Sequence, residues 1–330
     1  MNEIVKADLT NMTYEEIKDL TLQLSYSDKF RLAELLTELG KEEEEEQNTE
    51  EEIITNYLSS GVTAFIDLLG FGGQVSCAET EADLALILKN LKFVRHEFKD
   101  SVEKDLKELT QATYVAASDS VIINLPFKSK IAELTGEFDN IMNEITGFAY
   151  SQSKCIQDGI FLRGGIAQGW WYKRSDILVS QSMVDAYGLE GKTCYPVIGI
   201  TQDLYNFLDK HTEKTQYSYD PLASIFRKTK VKDEEIIYLD YIQICIDAID
   251  GDVEKARAFK GEEKDQFLNK TRHKNVESWF KVHKEQIIQA YKSVDASNAK
   301  VLKKYVWLAD YHNEKAKTLD LSDECICHIT

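Results

Sequence analysis

The sequence predicts an α/β protein, an α+β sandwich, on three observations. Short apolar runs rich in β-formers alternate with longer stretches of helical period. Glycine clusters punctuate the joins. Hydrophobic residues make up 43% of 330 positions, enough for a sizeable buried core and too many for wholesale disorder.

The elements follow in order. Residues 12–40 carry two helical patterns, Tyr14, Ile17, Leu20 and Leu24 in the first and Phe30, Leu32, Leu35, Leu36 and Leu39 in the second, with Ser27 and Asp28 suited to cap between them. The glutamates of 42–46 and 50–52 repel one another and read as a solvated linker, which closes an N-terminal segment at residue 52. Residues 62–69 (VTAFIDLL) read as a buried strand ending in the turn Gly70-Phe71-Gly72-Gly73. Leu84, Leu88, Leu91 and Val94 mark a helix over 79–98, and 113–124 (TYVAASDSVIIN) reads as strand, bend at Ser118-Asp119, and strand. One helix is expected over 128–158, strands over 161–171 and 194–200, and a helix over 181–189 between them. Beyond Thr201 the pattern is mostly helical. The expected division is therefore 1–52, a core over 53–210, and a mainly helical extension over 211–330 that packs back on the core.

A formal net charge of −18 disfavours a phosphate-backbone grip, so no nucleic-acid partner is expected. An acidic chain still binds a triphosphate when metal ions supply the positive charge. No run reaches the ~18 apolar residues of a membrane span, and residues 1–20 lack a secretory leader's basic start and apolar stretch, so a cytoplasmic protein without membrane contact is expected. Of six cysteines only Cys325 and Cys327 lie close together, beside His328; scattered reduced thiols fit better than a zinc site, which takes four spaced ligands.

Candidate chemistry begins with Asp67, a single carboxylate inside an apolar strand, where an unpaired charge costs several kcal/mol. Asp119 sits between Val115-Ala116-Ala117 and Val121-Ile122-Ile123. Each has a bland reading, a loop cap for Asp67 and a turn aspartate for Asp119. If their strands are neighbours, both carboxylates reach one end of the sheet and can bracket divalent ions, which favour such hard oxygen ligands. Glycines after Asp67 let backbone N–H groups approach phosphate. Phe65 shares a strand face with Asp67 and suits either a nucleotide pocket or core packing. Arg163 interrupts another apolar strand, as a charge behind the site or a surface arginine; Lys154, Lys173 and Arg174 are weaker candidates, and Trp170 and Trp171 suit base stacking or packing.

Taken together, Phe65, Asp67, Leu68, Gly70 and Phe71 in FIDLLGF, the later Asp119, and Leu162-Arg163-Gly164-Gly165-Ile166-Ala167-Gln168-Gly169 resemble the class III adenylate and guanylate cyclases. Within that family the chain is most similar to the bacterial pyrimidine cyclases of antiphage defence, the Pycsar cyclases. FLRGGIAQG, Ala186-Tyr187-Gly188-Leu189-Glu190 followed by Tyr195-Pro196, and the segment 304–313 (KYVWLADYHN) carry the likeness over roughly 60–315. The resemblance implies a class III cyclase core of ferredoxin-like or palm-like type and a head-to-tail homodimer. It implies two Mn²⁺ or Mg²⁺ ions held by Asp67, Asp119 and the Leu68 carbonyl, with Arg163 assisting. Phe65, Gly70 and Phe71 would border the nucleotide. The implied substrate is UTP or CTP, and the cyclic product would signal to an effector during phage infection. Two departures stand out. Val184 and Gly188 occupy the places of the family's Asn and Arg, and Gln111 to Tyr114 lack the lysine of purine-selecting enzymes. The first leaves a catalytically degenerate nucleotide-binding dimer as the alternative.

Overall fold

The computed structural model describes Thr13 and residues 57–100, 104–175, 177–212, 220–231 and 234–329; the expected N-terminal helices and acidic linker lie outside these, Thr13 apart. Contacts divide the chain into two compact units, Met1–Leu58 with Tyr172–Leu178, and Ser59–Trp171 with Val179–Thr330. In the first, Tyr57 meets Tyr172 edge to face at 6.2 Å, and the Arg174 guanidinium lies 5.5 Å from the Tyr57 ring centre. The second holds the core.

The order is β1 (Leu58–Leu68), α1 (Phe71–Cys77), α2 (Glu81–Arg95) with a π turn at His96–Asp100, α3 (Lys104–Thr110), β2 (Thr113–Ala117) and β3 (Ser120–Pro126). Then come α4 (Lys130–Thr135), α5 (Glu137–Gln157), β4 (Leu162–Arg174), β5 (Ile177–Ser180), α6 (Gln181–Thr193), β6 (Ile198–Ile200) and α7 (Gln202–His211). The chain closes with β7 (Phe226–Val231), β8 (Glu234–Leu239), α8 (Tyr241–Asp247), α9 (Val253–Ala256), α10 (Gly261–Ser293) and α11 (Ala299–Thr318). The strands form one mixed eight-stranded sheet, β2-β3-β1-β4-β6-β8-β7 with β5 on β4; β4 and β6 are parallel, and β1 and β3 antiparallel. The fold is mixed α/β, as the alternating patterns predict.

Strand alternation sorts β1 into two faces. Val62, Ala64, Ile66 and Leu68 enter the main core, which Ile141, Ile145 and Phe148 of α5 also join. Thr63, Phe65 and Asp67 take the other face, towards α6. There Thr63 is wholly buried, donates to Asn124 Oδ1 of β3 at 2.8 Å and shares a 2.6 Å hydrogen bond with Ser182 of α6. Glycines let α6 press onto the sheet: a Cβ on Gly165 would stand 2.1 Å from the Ala186 carbonyl oxygen. That contact admits glycine alone.

Three expectations are corrected. The single helix over 128–158 breaks at Gly136, whose φ of 95° ends α4 and begins α5 in a conformation open to glycine. The strand over 194–200 shrinks to Ile198–Ile200, because Cys194 adopts left-handed φ 59° and ends α6. The region past Thr201 contributes a β7–β8 hairpin to the sheet. Ile236, Ile237, Tyr238 and Leu239 are a continuous buried run, and a strand lying between two others carries no alternation to separate it from a helix. All six cysteines are free.

Candidate active site

Antiparallel register places Asp67, at the end of β1, opposite Ser120, the first residue of β3, whose hydroxyl donates to Asp67 Oδ1 at 3.1 Å. The hairpin bend at Ser118-Asp119 therefore delivers Asp119 beside Asp67, and the two carboxyl groups interact directly. Ser118 holds a left-handed φ of 54°, and Arg95 of α2 donates to its carbonyl at 3.0 Å. The turn that carries Asp119 is pinned from α2.

From β4, Arg163 donates to Asp67 Oδ2 through Nε at 3.3 Å and Nη2 at 3.1 Å. Its Nε also ion-pairs with Oε1 of Glu190 on α6, a carboxylate that is only 4% exposed. Burial, reinforced by the Asp119 charge, pushes the Asp67 carboxyl above its usual range against the opposing pull of Arg163. Glu190 is raised too, by burial first, while Arg163 and Lys304 of α11 hold it down. Lys304 is itself lowered, by burial and then by Arg163. Three carboxylates, Asp67, Asp119 and Glu190, thus face two cations, Arg163 and Lys304. The cluster is one positive charge short. Two oxygen-rich side chains are the donor chemistry that a hard divalent cation takes; among the described residues no group of three or more His, Cys, Asp or Glu is placed to hold a metal ion, at this cluster or elsewhere.

The other predicted residues are distributed as follows. Leu68 buries its side chain in the core directly after Asp67. Gly70 adopts φ 85° and leads into Phe71 at the start of α1, which has only seven residues. Phe65 meets Tyr187 of α6 edge to face at 5.2 Å, so it lies on the Asp67 face and beside an exposed aromatic ring. Trp171 is buried and Trp170 is exposed. Lys154 pairs with Glu97 at 3.0 Å, and Lys173 bonds the Ser175 carbonyl; neither meets the carboxylates. Val184 is 64% exposed and Gly188 has open space around its Cα, so neither brings a polar group to the site. Glu190 and Lys304 join the site without a local signal in the sequence, because the packing of α6 and α11 brings them to Arg163.

Two cavities lie in the same unit. One of about 490 Å³ is lined by Gln168, Gln181, Val184, Asp185, Lys192 and Thr201 among others. The other, of about 430 Å³, lies between Leu68, Leu69, Phe161 and α10. Neither contains Asp67 or Asp119, which sit at the end of β1 and in the β2–β3 turn.

No family model matches the chain, and no curated protein does. Solved structures similar to it include a bacterial light-regulated adenylyl cyclase, at 14% identity over 57% of this chain and 95% of that one, with a TM-score of 0.35. The adenylyl cyclase CyaB from P. aeruginosa is 16% identical over 55% and 93%, with a TM-score of 0.35. A class III adenylyl cyclase-like ATP-binding protein from Pseudomonas aeruginosa is 14% identical over 57% of this chain and 40% of its own length, with a TM-score of 0.37.

Proposed function

We propose that this chain is a nucleotide cyclase, which joins the ribose 3′-oxygen of a nucleoside triphosphate to its own α-phosphorus and releases diphosphate. The observation that carries this reading is the contact between Asp67 and Asp119 at one end of the sheet, in a cluster with more carboxylates than cations. Asp67, Asp119 and the Leu68 carbonyl would hold Mn²⁺ or Mg²⁺, which lowers the hydroxyl pKa and offsets triphosphate charge. The protein's own contribution is positional. β1 and the β2–β3 turn fix the two carboxylates, Ser120 orients Asp67, and Arg95 braces the turn. Phe65 and Tyr187 offer an aromatic wall on the same face. The glycines at 70, 72 and 73 have no neighbours where a Cβ would stand, leaving backbone open to a phosphate chain.

The pyrimidine choice, UTP or CTP, rests on the motif resemblance and on the lack of a lysine in 111–114. The same resemblance supports a cytoplasmic enzyme whose cyclic product activates an effector in antiphage defence. A homodimer is supported further by exposed Val184 and Tyr187, apolar surface on α6 that a second copy would cover. One observation favours the alternative, a catalytically degenerate dimer that binds nucleotide: α6 presents Val184 and Gly188, with no polar group, where the family places its Asn and Arg.

The test is to incubate the protein with Mn²⁺ and each of the four ribonucleoside triphosphates, beside Asp67→Ala and Asp119→Ala, and to identify products by mass spectrometry. A cyclic pyrimidine monophosphate formed by the wild type and lost in both variants is expected. No product from any triphosphate, with nucleotide binding retained, would replace the cyclase reading with the binding dimer.

A further inference from the structure

We infer that Glu190 is a positioning residue for the proposed reaction: it carries the counter-charge of Arg163, so that the guanidinium orients Asp67 without cancelling the negative charge that a divalent cation takes. The inference rests on the cyclase reading above. Asp67 Oδ2 accepts from Nε and Nη2 of Arg163, at 3.3 and 3.1 Å, while Oδ1 accepts from the Ser120 hydroxyl at 3.1 Å. Both carboxylate oxygens are thereby fixed in direction. An arginine paired with Asp67 alone would also neutralise it, and the attraction for a cation would weaken with it. Glu190 prevents that. Its Oε1 ion-pairs with the same Nε, so one guanidinium is shared between two carboxylates, which its planar fork suits.

Packing sets the position of Glu190. Ala186 and Thr193 of α6 lie against Gly165 and Gly199, where a Cβ would stand 2.1 Å from the Ala186 carbonyl oxygen and 2.9 Å from Thr193 Oγ1. Glu190 falls between them on the same sheet-facing stripe of the helix and is buried. A carboxylate on such a stripe adds little net stability even when paired, because its desolvation offsets the Coulomb gain. Its effect is on Arg163, a long side chain that is 28% exposed and gains a fixed anchor. Lys304 is the other cation beside Glu190, and Asp67 is close enough to act on it as well. Asp67, Asp119 and Glu190 against Arg163 and Lys304 leave the cluster one net negative charge; without Glu190 it would carry none.

The test is an Mn²⁺ titration of the full chain, followed by electron paramagnetic resonance of the free ion, with wild type, D67N, E190Q, R163Q and the double variant R163Q/E190Q. One unit of charge in a half-buried cluster changes affinity for a divalent ion by a factor of about ten. E190Q should therefore bind Mn²⁺ about tenfold more weakly than wild type, R163Q about tenfold more tightly, and the double variant as wild type does. A merely structural role for Glu190 would weaken E190Q and the double variant alike, and that result overturns the inference. The double variant leaves neither member of the pair charged and alone, so its comparison with R163Q and wild type decides the matter if E190Q fails to fold. Mn²⁺ binding that D67N abolishes and E190Q leaves unchanged removes the inference alone. Binding that D67N leaves intact, or that no chain shows, removes the metal reading and the inference with it.

Discussion

Acidification from pH 7 to 5 should destabilise this protein through a pair of buried histidines far from the carboxylates. Tyr241 Oη and His283 Nε2 are 2.8 Å apart, His283 Nδ1 and His312 Nδ1 2.8 Å, and His312 Nε2 and the Cys325 carbonyl oxygen 2.7 Å. One arrangement of neutral rings satisfies every atom. The carbonyl only accepts, so His312 Nε2 carries hydrogen and its Nδ1 accepts; His283 Nδ1 then donates, and His283 Nε2 accepts from the Tyr241 hydroxyl. Both rings are fully buried, and Trp279 stacks on His283. Burial pushes His312 down from 6.5 to about 4, and burial with the neighbouring ring holds His283 well below 6.5. Depressed histidines bind fewer protons folded than unfolded, so stability is whole above pH 6.5 and declines as pH falls towards 4. For His312 alone the loss is about 2 kcal/mol by pH 5 and about 3 kcal/mol by pH 4. His283 adds to it in the same direction. Asp67, Glu144 and Glu190, whose raised values favour the folded state as they gain protons, act oppositely. The assay is therefore urea denaturation at pH 7 and pH 5 of wild type and of His312→Gln, comparing the two pH differences. A loss in wild type exceeding that of the variant by about 2 kcal/mol is expected for a site of this depth; equal losses would refute the neutral, buried chain.

Gly165→Ala drives a methyl group into the Ala186 carbonyl and should cost about 1–3 kcal/mol by denaturation. It should also lower the proposed cyclase activity, read as product by mass spectrometry, because α6 carries Glu190. Phe280→Ala removes a fully buried ring, packed against Trp279 and His312, and should cost about 3–5 kcal/mol in the same measurement; a smaller loss would mean that α10 collapses into the space.

Much of the site was legible because it depends on local rules. The period of two in FIDLL puts Phe65 and Asp67 on one face whatever surrounds them, and the Ser118-Asp119 bend follows from a turn pair between two apolar runs. The compensation of Asp67, demanded by the cost of an unpaired charge, was foreseeable as a need. Arg163 was the leading candidate to supply it, but what holds Arg163 in place was not legible. Arg163 reaches Asp67 across 96 positions and is held by Glu190, and no local pattern says that α6 will lie close enough to provide it. The β7–β8 hairpin escaped because Ile236 to Leu239, buried between two other strands, has the same apolar look as a helix core.

What the amino-acid sequence determined by itself was the alternation of elements, the glycine turn after Asp67 and the bend that carries Asp119, all set by side-chain period and turn chemistry; that β1 lies beside β3 is a tertiary fact. Only the tertiary structure decided that Glu190, Arg163 and Lys304 form one charge cluster with those aspartates, and that His283 and His312 share a hydrogen bond. Both depend on which faces of distant helices the core presses together, and that is a property of packing, where burial turns weak surface charges into strong partners.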